Sequence, residues 1–397
     1  MKSCARVSGQ FLLLLLLLLA ACDSGGPPEP PEPEEVPRGL PGPLVVIGGG
    51  LRSDNLPVFQ AVLDGRWGNG PLCILPTASG TPTSSMDGYV SDFNAVAGAP
   101  IAQGIFLTLD NPQAAFDQDT VDRLKACSGF FFTGGVQSRI LDVFRPAGQD
   151  TPAYQAVWDR YQAGAVVAGS SAGAAIMTDP MIAGGNSEGA LDHGVRGQAE
   201  GEGVWLRQGM GFLPDGISDQ HFLARGRWGR LLVAVLGTEA EAFGYGIDEN
   251  TALVVFSGSA TVVGESGVVF FDTRQAALET EGNGGYGVQA YLLGVGDRVG
   301  LEMGVPEVDS MKPSLATSGA ESLPQNPDLF GSRELLRILH ALGTATDTLV
   351  AYHQGGHQVE LRKGAGFQAR AWDGIDADPI PRGLFLGPFV LSVWRQG

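Results

Sequence analysis

Four times between residues 44 and 171, a short apolar run ends in a turn of glycine or other small residues. Val45-Val46-Ile47 enters Gly48-Gly49-Gly50, and Leu72-Cys73-Ile74-Leu75 enters Pro76-Thr77-Ala78-Ser79. Phe130-Phe131-Phe132 enters Thr133-Gly134-Gly135, and Ala165-Val166-Val167 enters Gly169-Ser170-Ser171. Runs that are apolar at every position, not at alternate positions, suit strands covered on both faces. Helix-like stretches at 56–63 and 120–126 fall between them. The alternation predicts an α/β fold with a doubly wound, mostly parallel sheet. In that architecture ligands sit beyond the carboxyl ends of the strands, where each small-residue turn falls.

After about residue 253 the pattern shifts toward β structure, as in Ala260-Thr261-Val262-Val263 and Gly267-Val268-Val269-Phe270-Phe271. A Pro/Ser/Gly stretch over 304–328 reads as a loop. An amphipathic helix near 334–342 and strands such as Gln358-Val359-Glu360-Leu361 follow. The expected division is a catalytic domain over 44–300 and a β-rich C-terminal extension over 301–397, with no repeat at a fixed period.

Lys2 and Arg6 precede a leucine-rich run from Phe11 to Ala20, too short to span a bilayer and laid out like a secretory signal. The run closes on Leu19-Ala20-Ala21-Cys22, which resembles the lipobox of bacterial lipoproteins. That resemblance implies removal of residues 1–21, acylation of Cys22 and attachment to a membrane of the cell envelope. Residues 22–43, rich in Pro and Glu, read as an extended, solvated tether. Loss of Lys2 and Arg6 takes the formal charge from −18 to −20, which argues against nucleic acid as a partner. Cys73 and Cys127 are then the cysteines left in the globular part. Both read as buried thiols beside strands; a disulfide between them suits an oxidising compartment but does not follow from the sequence.

Gly169-Ser170-Ser171-Ala172-Gly173 fits G-x-S-x-G, the elbow that presents a nucleophilic serine on a tight strand-to-helix turn. Ala163–Ala168 before it is strand-like, and Ala174-Ala175-Ile176-Met177 after it is helix-like. Alone, the pentapeptide also suits a structural Gly/Ser turn. Two later segments sharpen it. Ser218-Asp219-Gln220-His221-Phe222 is followed by Arg225, Arg227 and Arg230, and Gly246-Ile247-Asp248-Glu249-Asn250 precedes an apolar run. Together they supply nucleophile, base and acidic orienter in the order Ser, His, Glu. Asp248 and Asp219 compete with Glu249 for the orienting role.

Thr133-Gly134-Gly135 with Gln137, the Ser-Ala-Gly-Ala elbow, Asp-Gln-His-Phe with its arginines, and Gly-Ile-Asp-Glu together resemble the cyanophycinase branch of the S51 serine peptidases. The resemblance covers roughly residues 44–300. It implies a flavodoxin-like or glutamine-amidotransferase-like fold and a triad of Ser171, His221 and Glu249. It also implies an oxyanion hole from the N–H groups of Gly135 and Ala172, and a substrate pocket of Gln137, Asp219, Gln220, Arg225, Arg227 and Arg230.

Cyanophycin is a polyaspartate carrying arginine on each β-carboxyl, so every repeat offers a guanidinium and a free carboxylate to be paired. The implied activity is hydrolysis of cyanophycin or a related isoaspartyl peptide to β-Asp-Arg-type dipeptides through an acyl-enzyme. An aspartyl dipeptidase-like activity and a non-catalytic binding lipoprotein are the alternatives, and a homodimer stays open. Val136 stands where family members commonly carry a polar residue, and Gly-Ser-Ser replaces the usual Gly-Thr-Ser. No cofactor or metal is expected: His353-Gln354-Gly355-Gly356-His357 has metal-like spacing, but its two glycines favour a turn over a helix.

Overall fold

The apolar runs are strands of one sheet in the computed structural model, which describes residues 41–196, 202–238, 242–280, 282–316, 323–374 and 380–396. The expected signal peptide, Cys22 and nearly all of the tether lie outside the described residues. In chain order come β1 (Leu44–Ile47), α1 (Leu56–Asp64), β2 (Leu72–Leu75), α2 (Pro82–Ala97) and β3 (Ala102–Gly104). Then follow α3 (Gln118–Lys125), β4 (Gly129–Phe132), α4 (Gln137–Phe144), α5 (Pro152–Gln162) and β5 (Val166–Ser170). Side by side the strands run β1-β5-β4-β2-β3, all parallel.

Burial on both faces is why these runs lack polar residues. Val45, Ile47, Ile74, Phe131 and Ala168 pack with Phe59 of α1 and Phe93 of α2. Their neighbours Val46, Leu75, Phe132 and Val167 face the other way, toward Leu124, Ile140 and Val157 of α3, α4 and α5. Each such side chain contributes roughly 1.5–3 kcal/mol by leaving water. The sequence hides α2, because its first turns are Thr and Ser, Gly88 interrupts it, and Phe93 is its buried residue.

After β5 a short turn of helix, α6 (Ala172–Ala175), leads to β6 (Met181–Gly184), α7 (Ser187–His193), β7 (Val195–Arg196) and β8 (Val204–Arg207). Next are β9 (Ile217–Asp219), α8 (Trp228–Leu236), β10 (Phe243–Ile247), β11 (Thr251–Phe256), β12 (Ser259–Gly264) and β13 (Gly267–Asp272). The remainder is β14 (Ala277–Leu278), β15 (Gly285–Gly294), β16 (Arg298–Gly300), β17 (Val305–Glu307), α9 (Glu334–Thr344), β18 (Leu349–Gln354), β19 (His357–Arg370) and β20 (Phe385–Arg395). Strands β11, β12, β16 and β17 extend the first sheet from β1 in antiparallel fashion. A second sheet runs β9-β10-β13-β15-β20-β19-β18, with β9 and β10 parallel to each other.

The parallel pattern therefore holds for the first five strands, and β9 and β10 belong to a different sheet from β5. The two sheets share a core: Leu253 and Val262 of the first lie in one cluster with Tyr245, Ile247 and Phe270 of the second. Helices α8 and α9 cover the opposite face of the second sheet through Leu231, Leu232, Leu339 and Leu342. The C-terminal strands join that sheet directly, β20 pairing with β15.

Two sequence readings are decided here. Cys73 and Cys127 are bonded as a disulfide, with Cα atoms 5.9 Å apart, which corrects the reading of two free thiols. Their runs sit on the adjacent strands β2 and β4, a proximity that only the sheet order creates. His353 and His357 flank the β18–β19 turn at Gly355 and Gly356, whose φ values of 59° and 82° suit glycine. The His357 Nε2 lies 3.0 Å from Asp192 Oδ1.

Candidate active site

Three carboxyl strand ends of the first sheet and two of the second meet at one place. Strand β5 delivers Ser171 on a turn whose strain sits on the serine itself, at φ 55° and ψ −108°. The flanking glycines answer a different need, close packing. A Cβ on Gly169 would collide with the Gly173 carbonyl, and a Cβ on Gly173 with the Phe132 carbonyl at the end of β4. Ser170, one residue earlier, is buried in β5 beside Tyr89. Ser171 is the serine that reaches the cleft.

His221 follows β9 and has φ 49°, with its N–H donating to Gly48 O at 2.6 Å. Gly49, at φ 98°, leaves room for the imidazole; a Cβ there would strike the ring. The Ser171 hydroxyl lies 2.9 Å from His221 Nε2, and His221 Nδ1 lies 2.6 Å from Glu249 Oε1, just beyond β10. That arrangement fits the tautomer in which Nδ1–H donates to Glu249 and Nε2 accepts from Ser171. The Ser171 hydroxyl is also 3.4 Å from Gln220 Oε1, a longer contact competing for the same single proton.

Thr133-Gly134-Gly135 closes the other side. A Cβ on Gly134 would sit 3.3 Å from the Ser171 Cβ, and Gly135 has φ 144° with the Ala78 carbonyl close behind it. Ala172 begins α6 directly after the serine.

Burial holds the His221 imidazolium below its usual pKa, Glu249 pulls it back up, and the cations Arg225 and Arg227 add a further downward push. The ring is therefore neutral at neutral pH, the state in which Nε2 can take a proton. Burial pushes Arg227 down to about 10, so it remains a cation there.

The expected substrate residues divide into two groups. Arg225 is exposed, and Arg227 donates to the Gln220 carbonyl at 2.6 Å. Asp219 and Arg230 are 1% and 4% exposed and form a two-pronged pair, Nε to Oδ2 at 2.7 Å and Nη2 to Oδ1 at 2.5 Å. Arg230 also donates to the Gly185 carbonyl. Their placement corrects the expectation that both meet substrate: each spends its charge on the other, bracing β9 against α8 and the loop before α7. Gln137 is tied down as well, its Nε2 donating to the carbonyls of Ile182 and Ala183, which leaves only its amide oxygen.

Of the rival carboxylates, Asp248 is fully buried and serves the loop rather than the ring. It accepts from Ala224 N at 2.9 Å and from Ser266 Oγ at 2.7 Å, and Arg333 Nη1 lies 3.4 Å away. Arg333 N donates to Leu223 O, and Trp228 Nε1 donates to Leu329 O, both at 2.7 Å. The segment 329–333, far along the chain, thus grips the loop that carries His221. Gly49, Asp248 and Arg333 escaped the sequence reading. Only Gly49 carried a local signal, as the middle of a glycine triplet.

The profile of peptidase family S51 matches residues 44–263. The chain is 32% identical over 236 residues to the cyanophycinase of Geminocystis herdmanii (strain PCC 6308), covering 57% of this chain and 81% of that protein. It is 31% identical over 239 residues to the cyanophycinase of Nostoc sp. (strain PCC 7120), covering 58% and 75%. Among solved structures, a peptidase from an acI-B1 Actinobacterium superposes with a TM-score of 0.44 at 22% identity, covering 58% of this chain and 90% of that one. A putative peptidase E from Listeria monocytogenes EGD-e gives 0.37 at 16% identity, covering 56% and 98%.

Proposed function

The chain belongs to peptidase family S51, and from that premise we propose that it is a serine-type hydrolase of cyanophycin or a closely related isoaspartyl peptide. The observation that carries this is the hydrogen-bonded series Ser171–His221–Glu249, at 2.9 and 2.6 Å. Ser171 Oγ attacks the scissile carbonyl carbon while His221 Nε2 takes its proton. Glu249 holds the ring and balances the imidazolium charge. The N–H groups of Gly135 and Ala172 receive the developing oxyanion, a contribution worth roughly 3–4 kcal/mol per donor. His221 then returns the proton to the leaving amine, and water repeats the sequence on the acyl-enzyme.

The relatives named cyanophycinase supply the substrate class. Arg225 and Arg227 are the cations for the arginyl carboxylate. With Asp219 engaged by Arg230, the amide oxygens of Gln220 and Gln137 are the acceptors for the guanidinium. Poly-aspartate lacks the arginyl unit and leaves Arg225 and Arg227 unmatched, so cyanophycin should be cleaved ~10³-fold faster or more. Release of β-Asp-Arg from cyanophycin against poly-aspartate measures this. Comparable rates on the two polymers, with better turnover of short aspartyl peptides, would move the assignment to a dipeptidase.

Attachment to the envelope through acylated Cys22 belongs to the same proposal. It is supported by the signal-like N-terminus and by a Cys73–Cys127 disulfide suited to an oxidising compartment. Mass spectrometry of the mature N-terminus tests it: a lipid-modified Cys22 is expected, and an unmodified one overturns it.

A further inference from the structure

A cavity of about 220 Å³ is lined by Glu249 but not by Ser171 or His221. One wall comes from the family-matched part of the chain, including Arg52, Asn250 and Glu265. The facing wall, with Arg333, Leu336 and Leu384, comes from residues beyond the match. Neither the nucleophile nor the proposed oxyanion donors reach this cavity, so it is separate from the cleft at Ser171.

Its chemistry narrows what fits. The floor is aliphatic, with Leu292, Leu336 and Leu384 nearly buried in the core of the second sheet. Two cations, Arg52 and Arg333, and two carboxylates, Glu249 and Glu265, share the lining, and Arg52 pairs with Glu265. Those charges cancel, so a ligand of net charge would go unbalanced, whereas one carrying both signs matches. Asn250 adds an independent mark. It is 6% exposed, its Oδ1 accepts from Arg52 N and Asn55 Nδ2, and its Nδ2 has no hydrogen-bond partner among the described residues. A buried amide N–H without an acceptor is costly, and a carboxylate oxygen would satisfy it.

We propose that this cavity binds a zwitterionic α-amino acid with a wholly or largely aliphatic side chain. The carboxylate goes to Arg333 and Asn250, the ammonium to Glu265, and the side chain onto Leu336 and Leu384. Because Glu249 lines the cavity and also holds His221, occupancy changes the setting of the imidazole. Binding stands apart from the function proposed above; this coupling rests on it.

Calorimetric titration of the full chain with L-leucine and with L-arginine tests the site. At least one should bind in a one-to-one ratio, and equally well to the Ser171→Ala protein, which separates this cavity from product binding in the cleft. N-acetyl-L-leucine and L-leucinamide each lack one charge and should bind at least tenfold more weakly. Arg333→Ala should weaken binding at least tenfold, and Leu336→Trp, which fills the floor, should abolish it. If Leu336→Trp does not fold, Arg333→Ala and the capped ligands decide. Absence of binding by both amino acids overturns the proposal, as does binding indifferent to capping and to Arg333→Ala. If binding is found, the acid limb of the pH–rate profile should move at saturating leucine or arginine; an unmoved limb removes the coupling and leaves the site.

Discussion

Ser171 and His221 both hold positive φ, at 55° and 49°, a conformation that costs a non-glycine residue of the order of 1–3 kcal/mol. The strain is maintained by backbone ties: Ser171 N donates to Ile47 O and His221 N to Gly48 O, both carbonyls at the end of β1. Ser171→Gly should therefore abolish turnover while leaving the thermal midpoint unchanged or raising it by a few degrees. A clear drop in the midpoint would show that the hydroxyl, rather than the backbone, stabilises the elbow. His221 offers a second test. Arg225 disfavours the imidazolium, so removing its charge raises the His221 pKa, and the acid limb of kcat/KM moves to higher pH. For an exposed arginine the shift should be a few tenths of a unit at moderate salt. Arg225→Gln assayed with a small uncharged ester reads it, and Arg225→Lys should restore the wild-type limb. No shift, or one to lower pH, would rule out the electrostatic role.

At the scale of elements, the site is a meeting of small-residue turns at carboxyl strand ends. The turn after β1 seats the imidazole, the turn after β4 faces Ser171, and the turn after β5 carries it. Gly49→Ala tests the seat most directly, since the new methyl meets the His221 ring and the φ of 98° is poor for alanine. Displacing a base by about 1 Å can cost 10²-fold. A fall in kcat of that size with KM little changed is the expected result, with a stability loss of roughly 1–3 kcal/mol by denaturant unfolding. Wild-type kcat would mean that the imidazole does not depend on this turn. The same logic explains the family-like pattern Gly169–Gly173: its glycines are required by neighbouring carbonyls, not by unusual φ.

For the whole molecule, the decisive feature is that residues beyond 300 are built into the second sheet. Strands β18–β20 complete it, α9 covers it, and the segment 329–333 holds the His221 loop. A chain ending at residue 300 would bare the edge of β15 and the leucine-rich face under α9. Unpaired edges and exposed apolar faces of that kind promote aggregation. Such a truncation should be insoluble or lack a cooperative melt. Recovery of a soluble fragment with full activity would show the C-terminal region to be a separable appendage.

The sequence by itself determined what local chemistry can encode. Runs apolar at every position can only be strands covered on both faces, and a serine between closely packed glycines at such a strand end can only be a sharp turn. The fold class and the identities of Ser171 and His221 were legible for that reason. Which opposite charges pair was not, because Asp219, Asp248 and Glu249 are alike as carboxylates and differ only in what folding brings near them. Tertiary structure gave Asp219 to Arg230, Asp248 to the loop around Ala224 and Ser266, and Glu249 to His221. Sheet order likewise brought Cys73 to Cys127 across a sequence separation of 54 residues. It also carried the C-terminal segment back onto the loop of His221. These pairings follow from distance in space, which no spacing along the chain records.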